Sequence, residues 1–123
     1  MAMELIASPT LALDTGLSRL LAAAGSRAGL NLLLLFGHDP MTLDTAEGFA
    51  SRVQFPVAEV SDALAGLQQI GVVQSCRRDG RTSKHVSYWL SEDAKVYETI
   101  RELGLLYLSG PAARHALLAA LPV

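Results

Sequence analysis

The hydrophobic pattern of the chain changes period at Gly71, and this change limits the fold more than any other feature of the sequence. Residues 56–70, PVAEVSDALAGLQQI, carry apolar side chains at helical spacing. Residues 72–78 and 82–90, VVQSCRR and TSKHVSYWL, are instead rich in the β-branched and aromatic residues typical of strands. Asp79-Gly80 lies between them and suits a tight type I′ turn, which needs positive φ at both central positions. The sequence therefore predicts a helix followed directly by a β-hairpin.

Two helices are predicted near the N-terminus. Residues 14–24 favour the first, with Asp14 or Thr15 as its N-cap. Residues 27–36 favour the second, which we expect to end at Gly37 because glycine is common just beyond a helix C-terminus.

A short helix over about residues 45–52 follows, and Thr42 or Asp44 can cap it. The apolar residues expected on its inner side are Leu43, Ala46, Phe49, Ala50 and Val53. In the next helix, Pro56 fits the first turn. Its apolar stripe is Val57, Val60, Leu64, Leu67 and Ile70.

The chain closes with two more predicted helices. Ser91 is expected to cap a long helix that begins at Glu92 and runs to about Leu108. Gly110-Pro111 interrupts the pattern, and residues 112–121 predict a last apolar helix.

These elements predict a mainly α fold with a small β-hairpin, in the order of a winged helix-turn-helix with flanking N- and C-terminal helices. The length of 123 residues and an apolar fraction of 50% fit a single domain over residues 1–123 with its own core. We expect the winged-helix core at about residues 27–91 and the flanking helices at about 14–25 and 92–121.

The middle of the chain resembles winged-helix transcription regulators of the MarR and ArsR type. AEGFA (46–50) is similar to their positioning helix, VQFP (53–56) to the tight turn, RRDGR (77–81) to the wing tip and YWLSEDA (88–94) to the exit into the next helix. The resemblance covers about half of the chain. It implies a DNA-binding regulator whose recognition helix enters the major groove and whose flanking helices form a dimer.

The helix that corresponds to the recognition helix is acidic. Its expected outward positions are Ala58, Glu59, Ser61, Asp62, Ala65 and Gln69. Of these, Ser61, Gln69 and Glu59 are the candidate base contacts, since a glutamate can accept a hydrogen bond from cytosine N4. Residues 39–62 carry five acids and one base, Arg52, for a net charge of −4. A phosphate backbone repels such a surface.

The hairpin has the opposite charge. Residues 76–85 carry a net charge of +3 in a chain whose overall charge is −2. The candidate DNA-binding cations are Arg77, Arg78, Arg81 and Lys84, which at a wing tip could reach phosphates or the adjacent minor groove. The alternative is that a solvated hairpin tip simply carries charge.

No feature of the sequence predicts catalysis or a cofactor. Nucleophile-elbow, P-loop, zincin and dinucleotide-binding motifs are absent. His38, His85 and His115 are scattered, and none has metal-ligand spacing to another histidine or to Cys76. Cys76 beside Arg77 could act as a redox switch, but an ordinary strand residue is the simpler interpretation. We therefore expect a non-enzymatic protein without a bound metal.

The terminal segments LSRLLAAAG, LGLLYL and ARHALLAALP are more apolar than a winged-helix core alone can cover. We expect a homodimer through these helices, with packing on each other within one chain as the alternative. No signal peptide or segment long enough to span a membrane is present. We therefore expect a cytoplasmic protein, and the excess of arginine over lysine suggests a bacterial one.

A second function stays open at this point. The fold could serve as a protein-interaction module that does not bind DNA, with the acidic helix facing a basic partner.

Overall fold

The computed structural model describes residues 15–79 and 84–122, apart from the side chains of Thr15, Arg78, Asp79, Lys84 and His85. This part of the chain contains six helices and three strands. In chain order they are α1 (Thr15–Ala24), α2 (Arg27–His38), β1 (Leu43–Thr45), α3 (Ala46–Val53), α4 (Val57–Gln69), β2 (Val73–Asp79), β3 (Lys84–Leu90), α5 (Ala94–Leu108) and α6 (Pro111–Ala119). The mainly helical winged-helix architecture predicted from the sequence is confirmed.

Helix α2 continues past the predicted end at Gly37. Its N-cap is Ser26, whose Oγ accepts a hydrogen bond from the Gly29 amide at 3.3 Å. Its C-cap is Asp39, whose amide donates to the Leu35 carbonyl. The prediction that the helix ends at Gly37 was therefore wrong, because the Asp39 amide still donates to a carbonyl of the helix. Pro40, which has no amide hydrogen to donate, prevents a further turn.

The short strand β1 was not predicted. It pairs antiparallel with β3, with Leu43 opposite Trp89 and Thr45 opposite Ser87. Leu43 consequently belongs to a strand rather than to the inner side of α3, and its side chain is 58% exposed.

Thr45, rather than Thr42 or Asp44, caps α3. Its Oγ1 accepts from the Gly48 amide at 3.1 Å. Thr42 instead donates its hydroxyl to the Asp39 carbonyl at 2.9 Å, and an Asp44 carboxylate oxygen accepts from the Thr45 amide. Because β1 extends to Thr45, the helix starts at Ala46, and its cap lies closer to the C-terminus than predicted.

The three strands form one antiparallel sheet in the order β1-β3-β2. Strands β2 and β3 pair from Val73 opposite Leu90 to Asp79 opposite Lys84. Asp79 is thus the last paired residue of β2, and the connection comprises residues 80–83 rather than a two-residue turn centred on Asp79-Gly80. Residues 80–83 lie outside the described part of the chain.

Helix α4 packs its central stripe on the core but not the ends of that stripe. Val60, Leu64 and Leu67 are buried, whereas Val57 and Ile70 are 41% and 43% exposed. These two residues begin and follow the helix, where the described part of the chain covers them only partly. Near the core's centre, the ring of Phe36 meets that of Phe49 edge-to-face, with centroids 5.4 Å apart.

Helix α1 crosses α4 at close range. A Cβ atom on Gly66 would collide with the Ala23 carbonyl oxygen, so only glycine permits this approach. The apolar residues of α1 that this packing buries are Leu17, Leu20, Leu21 and Ala24.

The C-terminal helices pack on the same core. The N-cap of α5 is Asp93, whose Oδ1 accepts from the Lys95 amide at 2.9 Å. Ser91 was therefore wrong as the cap, and its Oγ instead accepts from the Asp93 amide. In α6, Leu117 is fully buried, and Leu121 beyond it is also buried. No helix among residues 15–79 and 84–122 combines the length and the hydrophobicity needed to cross a bilayer.

Candidate nucleic-acid interface

The base of the hairpin is bonded to helix α4. Gln68 Nε2 donates to Ser75 Oγ at 2.7 Å. Ser75 is on the same face of β2 as Val73, which is buried, because alternate residues of a strand share a face. The bond therefore fixes the start of the hairpin against the C-terminal half of the helix.

The hairpin itself is braced across its other face. Trp89 Nε1 on β3 donates to Gln74 Oε1 on β2 at 3.2 Å, and the two residues are paired in register. Trp89 is half-buried and Gln74 is exposed. Two side-chain bonds, one on each face, thus hold the strand that leads to the basic tip.

The predicted cations are distributed along this hairpin. Arg77 is exposed on β2 and pairs in register with Val86. Arg78 lies opposite His85, and Lys84 lies opposite Asp79. The side chains of Arg78 and Lys84, and all of Arg81, lie outside the described part of the structure. The backbone register places Arg77, Arg78 and Lys84 in the distal half of the hairpin.

Helix α4 is oriented by a tight turn after α3. Gln54 occupies the left-handed region, with φ 62° and ψ 48°, and its amide donates to the Ala50 carbonyl at 2.8 Å. Pro56 then serves as the N-cap of α4, and the Val60 amide donates to its carbonyl. This turn corresponds to the VQFP segment, which the resemblance to winged-helix regulators identified with the turn of a helix-turn-helix.

The exposed side of α4 contains five of the six residues that the sequence predicted to face outward, all except Ser61. Its central stripe consists of Ala58, Asp62, Ala65 and Gln69, which follow one another at helical spacing and are all exposed. Ser61 is half-buried at the edge of this stripe. Of the three candidate base contacts, only Gln69 lies on the stripe itself.

Glu59 has a structural reason to be acidic. It is exposed in the first turn of α4 and lines a shallow cleft with Gly25 and Ser26, where α2 begins. A carboxylate near a helix N-terminus is stabilised by the helix dipole, and here two N-termini lie close by. Asp62 lines the same cleft. Glu59 and Asp62 thus lie near helix N-termini, where the helix dipole favours negative charge.

Arg52, the one base in the acidic segment 39–62, is already paired with an acid of the same segment. Arg52 Nε lies 3.1 Å from Asp44 Oδ2, and both side chains are partly exposed. Gly48 makes room for that carboxylate, since a Cβ there would overlap it. The pair neutralises itself, so the surface around α4 remains acidic while the distal hairpin is basic.

Across residues 15–79 and 84–122, no three His, Cys, Asp or Glu side chains come together as metal ligands. Cys76 is a free thiol exposed on β2.

Sequence reasoning missed Gln68. Its position at the margin of the apolar stripe gave no sign that it would bond to a strand, because the pairing depends on where β2 returns along α4. A polar residue at the edge of the stripe and a serine in β2 are compatible with this bond but do not by themselves predict it.

Comparisons with known proteins agree with this fold. No known family's sequence model matches the chain, and no curated protein matches it. One similar solved structure is a possible transcriptional regulator from Methanosarcina mazei Go1. It aligns with a TM-score of 0.54 at 14% identity, over 70% of this chain and 73% of that chain. At this identity the likeness shows the fold alone, and the narrower resemblance to MarR and ArsR regulators stays a prediction.

Proposed function

We propose that the protein is a cytoplasmic DNA-binding transcriptional regulator that acts as a homodimer. The observation that carries the proposal is the bond between Gln68 and Ser75, which joins a basic hairpin to the exposed helix of a helix-turn-helix. In this arrangement the wing contacts the DNA backbone or the minor groove, and α4 lies along the major groove.

The wing supplies the attraction for DNA in this proposal. Its net charge of +3 over residues 76–85 contrasts with the −4 of residues 39–62. Arg77, Arg78, Arg81 and Lys84 therefore neutralise phosphates, and two wings of a dimer bring about eight cations to the duplex. Ser61, Glu59 and Gln69 are the proposed residues near the bases.

The homodimer and the single domain over residues 1–123 are parts of the same proposal. Two-fold symmetric dimers are the commonest closed assemblies, and they match the two-fold symmetry of DNA half-sites. Of the flanking helices, α1 and α6 expose no large apolar side chain in the described part of the chain. The apolar surface left for a partner is on α5, where Leu105 and Leu108 are 63% and 72% exposed.

The wing's role is tested with the Arg78→Ala/Arg81→Ala variant, measured by fluorescence anisotropy on mixed-sequence duplex DNA. We expect the affinity at low salt to fall at least about tenfold. The slope of log K against log salt should become shallower by about 0.9 for each phosphate that the variant no longer neutralises.

The matched control is Arg19→Ala/Lys95→Ala, which removes the same charge from elsewhere. Both residues are exposed and line a groove with Val72, which precedes β2 at the end remote from the hairpin tip. This variant should bind as the wild type does. Equally weakened binding in both variants would contradict a specific role for the wing.

The acidic surface of α4 supports a second candidate function, a protein-interaction module that does not bind DNA. In that case Glu59 and Asp62 face a basic protein partner. Wild-type protein that shows no DNA binding at low salt would favour this candidate over the regulator.

A further inference from the structure

Helix α5 carries a row of exposed residues at coiled-coil spacing. Ala94, Glu98, Arg101, Leu105 and Leu108 follow one another in alternating steps of four and three residues, and all five are exposed. This is the spacing of the a and d positions of a heptad repeat, which places the residues in one line along a helix. We call these five residues the α5 seam.

In the described part of the chain, the seam lies on the exposed side of α5. The buried residues of α5, Ile100 and Leu103, are on the other side of the helix. Within residues 15–79 and 84–122, neither Glu98 nor Arg101 makes a side-chain hydrogen bond or an ion pair. The middle of the seam thus holds two opposite charges, and its C-terminal end holds two exposed leucines.

Shallow grooves lie along the seam from Glu98 to Leu108. One groove, of about 380 Å³, includes Leu105 and Leu108 and is bordered by Leu34 of α2. A second, of about 260 Å³, includes both Glu98 and Arg101.

A third groove, at the N-terminal end of the seam, is lined by Met41, Leu43 and Trp89. Met41 is 78% exposed. Neighbouring grooves share lining residues, so they form a continuous surface from the end of α5 to the outer face of the sheet, apolar at both ends and charged at Glu98 and Arg101 between them.

We propose that the α5 seam packs against the α5 seam of a second copy of the chain, in antiparallel orientation about a two-fold axis between Glu98 and Arg101. This inference rests on the homodimer of the proposed function and names its interface. Glu98 of each copy then faces Arg101 of the partner subunit, and Leu105 faces Ala94 of the partner subunit. Leu108 reaches the groove formed by Met41, Leu43 and Trp89 of the partner subunit.

The charges decide the orientation. In a parallel pair, each layer of the seam meets itself, so Glu98 would face Glu98 and Arg101 would face Arg101. Like charges at an interface are strongly unfavourable. The antiparallel pair instead forms two reciprocal ion pairs, one on each side of the axis. The small Ala94 opposite Leu105 also lets the helix ends approach.

The proposed interface includes the sheet as well as the terminal helices. Leu43 belongs to β1 and Trp89 to β3, the strand that carries Lys84 at its other end. Contact with the partner's Leu108 would therefore brace the base of the wing.

Charge reversal on full-length protein tests the reciprocal pairing, with the mass measured by sedimentation equilibrium. We expect Glu98→Arg and Arg101→Glu, each alone, to weaken the dimer at least about tenfold, and the double variant to recover most of that affinity. Glu102→Arg, an equal charge change on α5 outside the seam, should leave the mass unchanged. Failure of the double variant to recover would overturn the reciprocal pairing.

A second pair of variants tests the apolar part. Leu105→Glu/Leu108→Glu should give a monomer at micromolar concentration, whereas Val57→Glu/Ile70→Glu, which changes exposed apolar residues elsewhere, should not. Thermal melts monitored by circular dichroism check that both variants fold. A dimer that survives the leucine changes would overturn the seam while leaving the homodimer itself in place.

Orientation has its own readout in a Cys76→Ser background. Ala94→Cys/Leu105→Cys should cross-link between copies with a short bifunctional maleimide, whereas Leu105→Cys alone should not. In the antiparallel pair, Leu105 and Leu105 of the partner subunit lie roughly 16 Å apart along the helix axes. Cross-linking of the single variant would overturn the antiparallel orientation. A monomeric wild type would overturn the seam and the homodimer together, and DNA binding would then be judged separately.

Discussion

Gln68 of α4 donates a hydrogen bond of 2.7 Å to Ser75 of β2, and this bond ties the exposed helix to the base of the hairpin. The bond is on the surface, so it contributes little to the free energy of unfolding. Its importance is positional, because β2 carries Arg77 and Arg78 toward the tip.

Removal of that bond should weaken DNA binding more than stability. We expect Gln68→Ala to lower the free energy of unfolding by no more than about 1 kcal/mol, while DNA affinity falls several-fold because the wing loses its fixed position. Gln69→Ala is the control for stability, since Gln69 is exposed and adjacent. Urea unfolding and anisotropy titration measure the two effects, and faster amide exchange in β2 of the Gln68→Ala variant would locate the change. Unchanged exchange in β2 would contradict the positional role.

The crossing of α1 over α4 depends on Gly66. Gly66→Ala should destabilise the protein by about 1–3 kcal/mol, because the added methyl group collides with the Ala23 carbonyl and the two helices must separate. Gly104→Ala is the matched control in a helix interior, where a Cβ would meet nothing within 4 Å. That variant should gain about 0.5–1 kcal/mol from reduced chain entropy. Chemical unfolding of both variants checks the sign, and a Gly66→Ala variant as stable as the wild type would contradict this close packing.

The turn between α3 and α4 requires a left-handed residue at Gln54. Gln54→Val should cost about 1–2 kcal/mol, since a β-branched side chain is disfavoured at positive φ. Gln54→Gly should retain at least the wild-type stability because glycine adopts this conformation without a steric penalty. Thermal unfolding distinguishes the two. Equal melting temperatures for the valine and glycine variants would mean that the turn has a different backbone conformation in solution.

The acidic face of α4 should limit DNA affinity. We expect Asp62→Asn to strengthen binding to mixed-sequence duplex several-fold at low salt, because it removes a charge that repels phosphates while keeping the side chain's size. Glu102→Gln, which removes an exposed charge from α5, should have little effect. Weaker binding by Asp62→Asn would instead indicate that the carboxylate accepts a hydrogen bond from a base.

The sequence predicted those elements whose pattern is long or chemically distinctive. The stripe of Val60, Leu64 and Leu67 and the strands of the hairpin followed from periodicity, because burial on one side imposes it. Strand β1 has only three residues, which is too short for any period, so it depends on pairing with β3. Its formation moved the cap of α3 to Thr45 and exposed Leu43.

The candidate interface was predictable only in part. The concentration of cations in the hairpin is a property of the sequence, whereas the bond from Gln68 to Ser75 depends on how β2 returns beside α4. Likewise, the apolar excess of the terminal helices predicted a partner surface, but the leucines of α1 and α6 are buried or half-buried within the described chain. Only the structure separates those buried leucines from Leu105 and Leu108, which stay exposed.

Equilibrium binding of the wild-type protein to mixed-sequence duplex DNA, titrated over a range of salt concentrations, tests the proposed DNA-binding function. The proposal predicts measurable binding at low salt and a log–log salt slope of several units, since each neutralised phosphate contributes about −0.9. Absence of binding at low salt, where the attraction between the wing and phosphate is strongest, would contradict it.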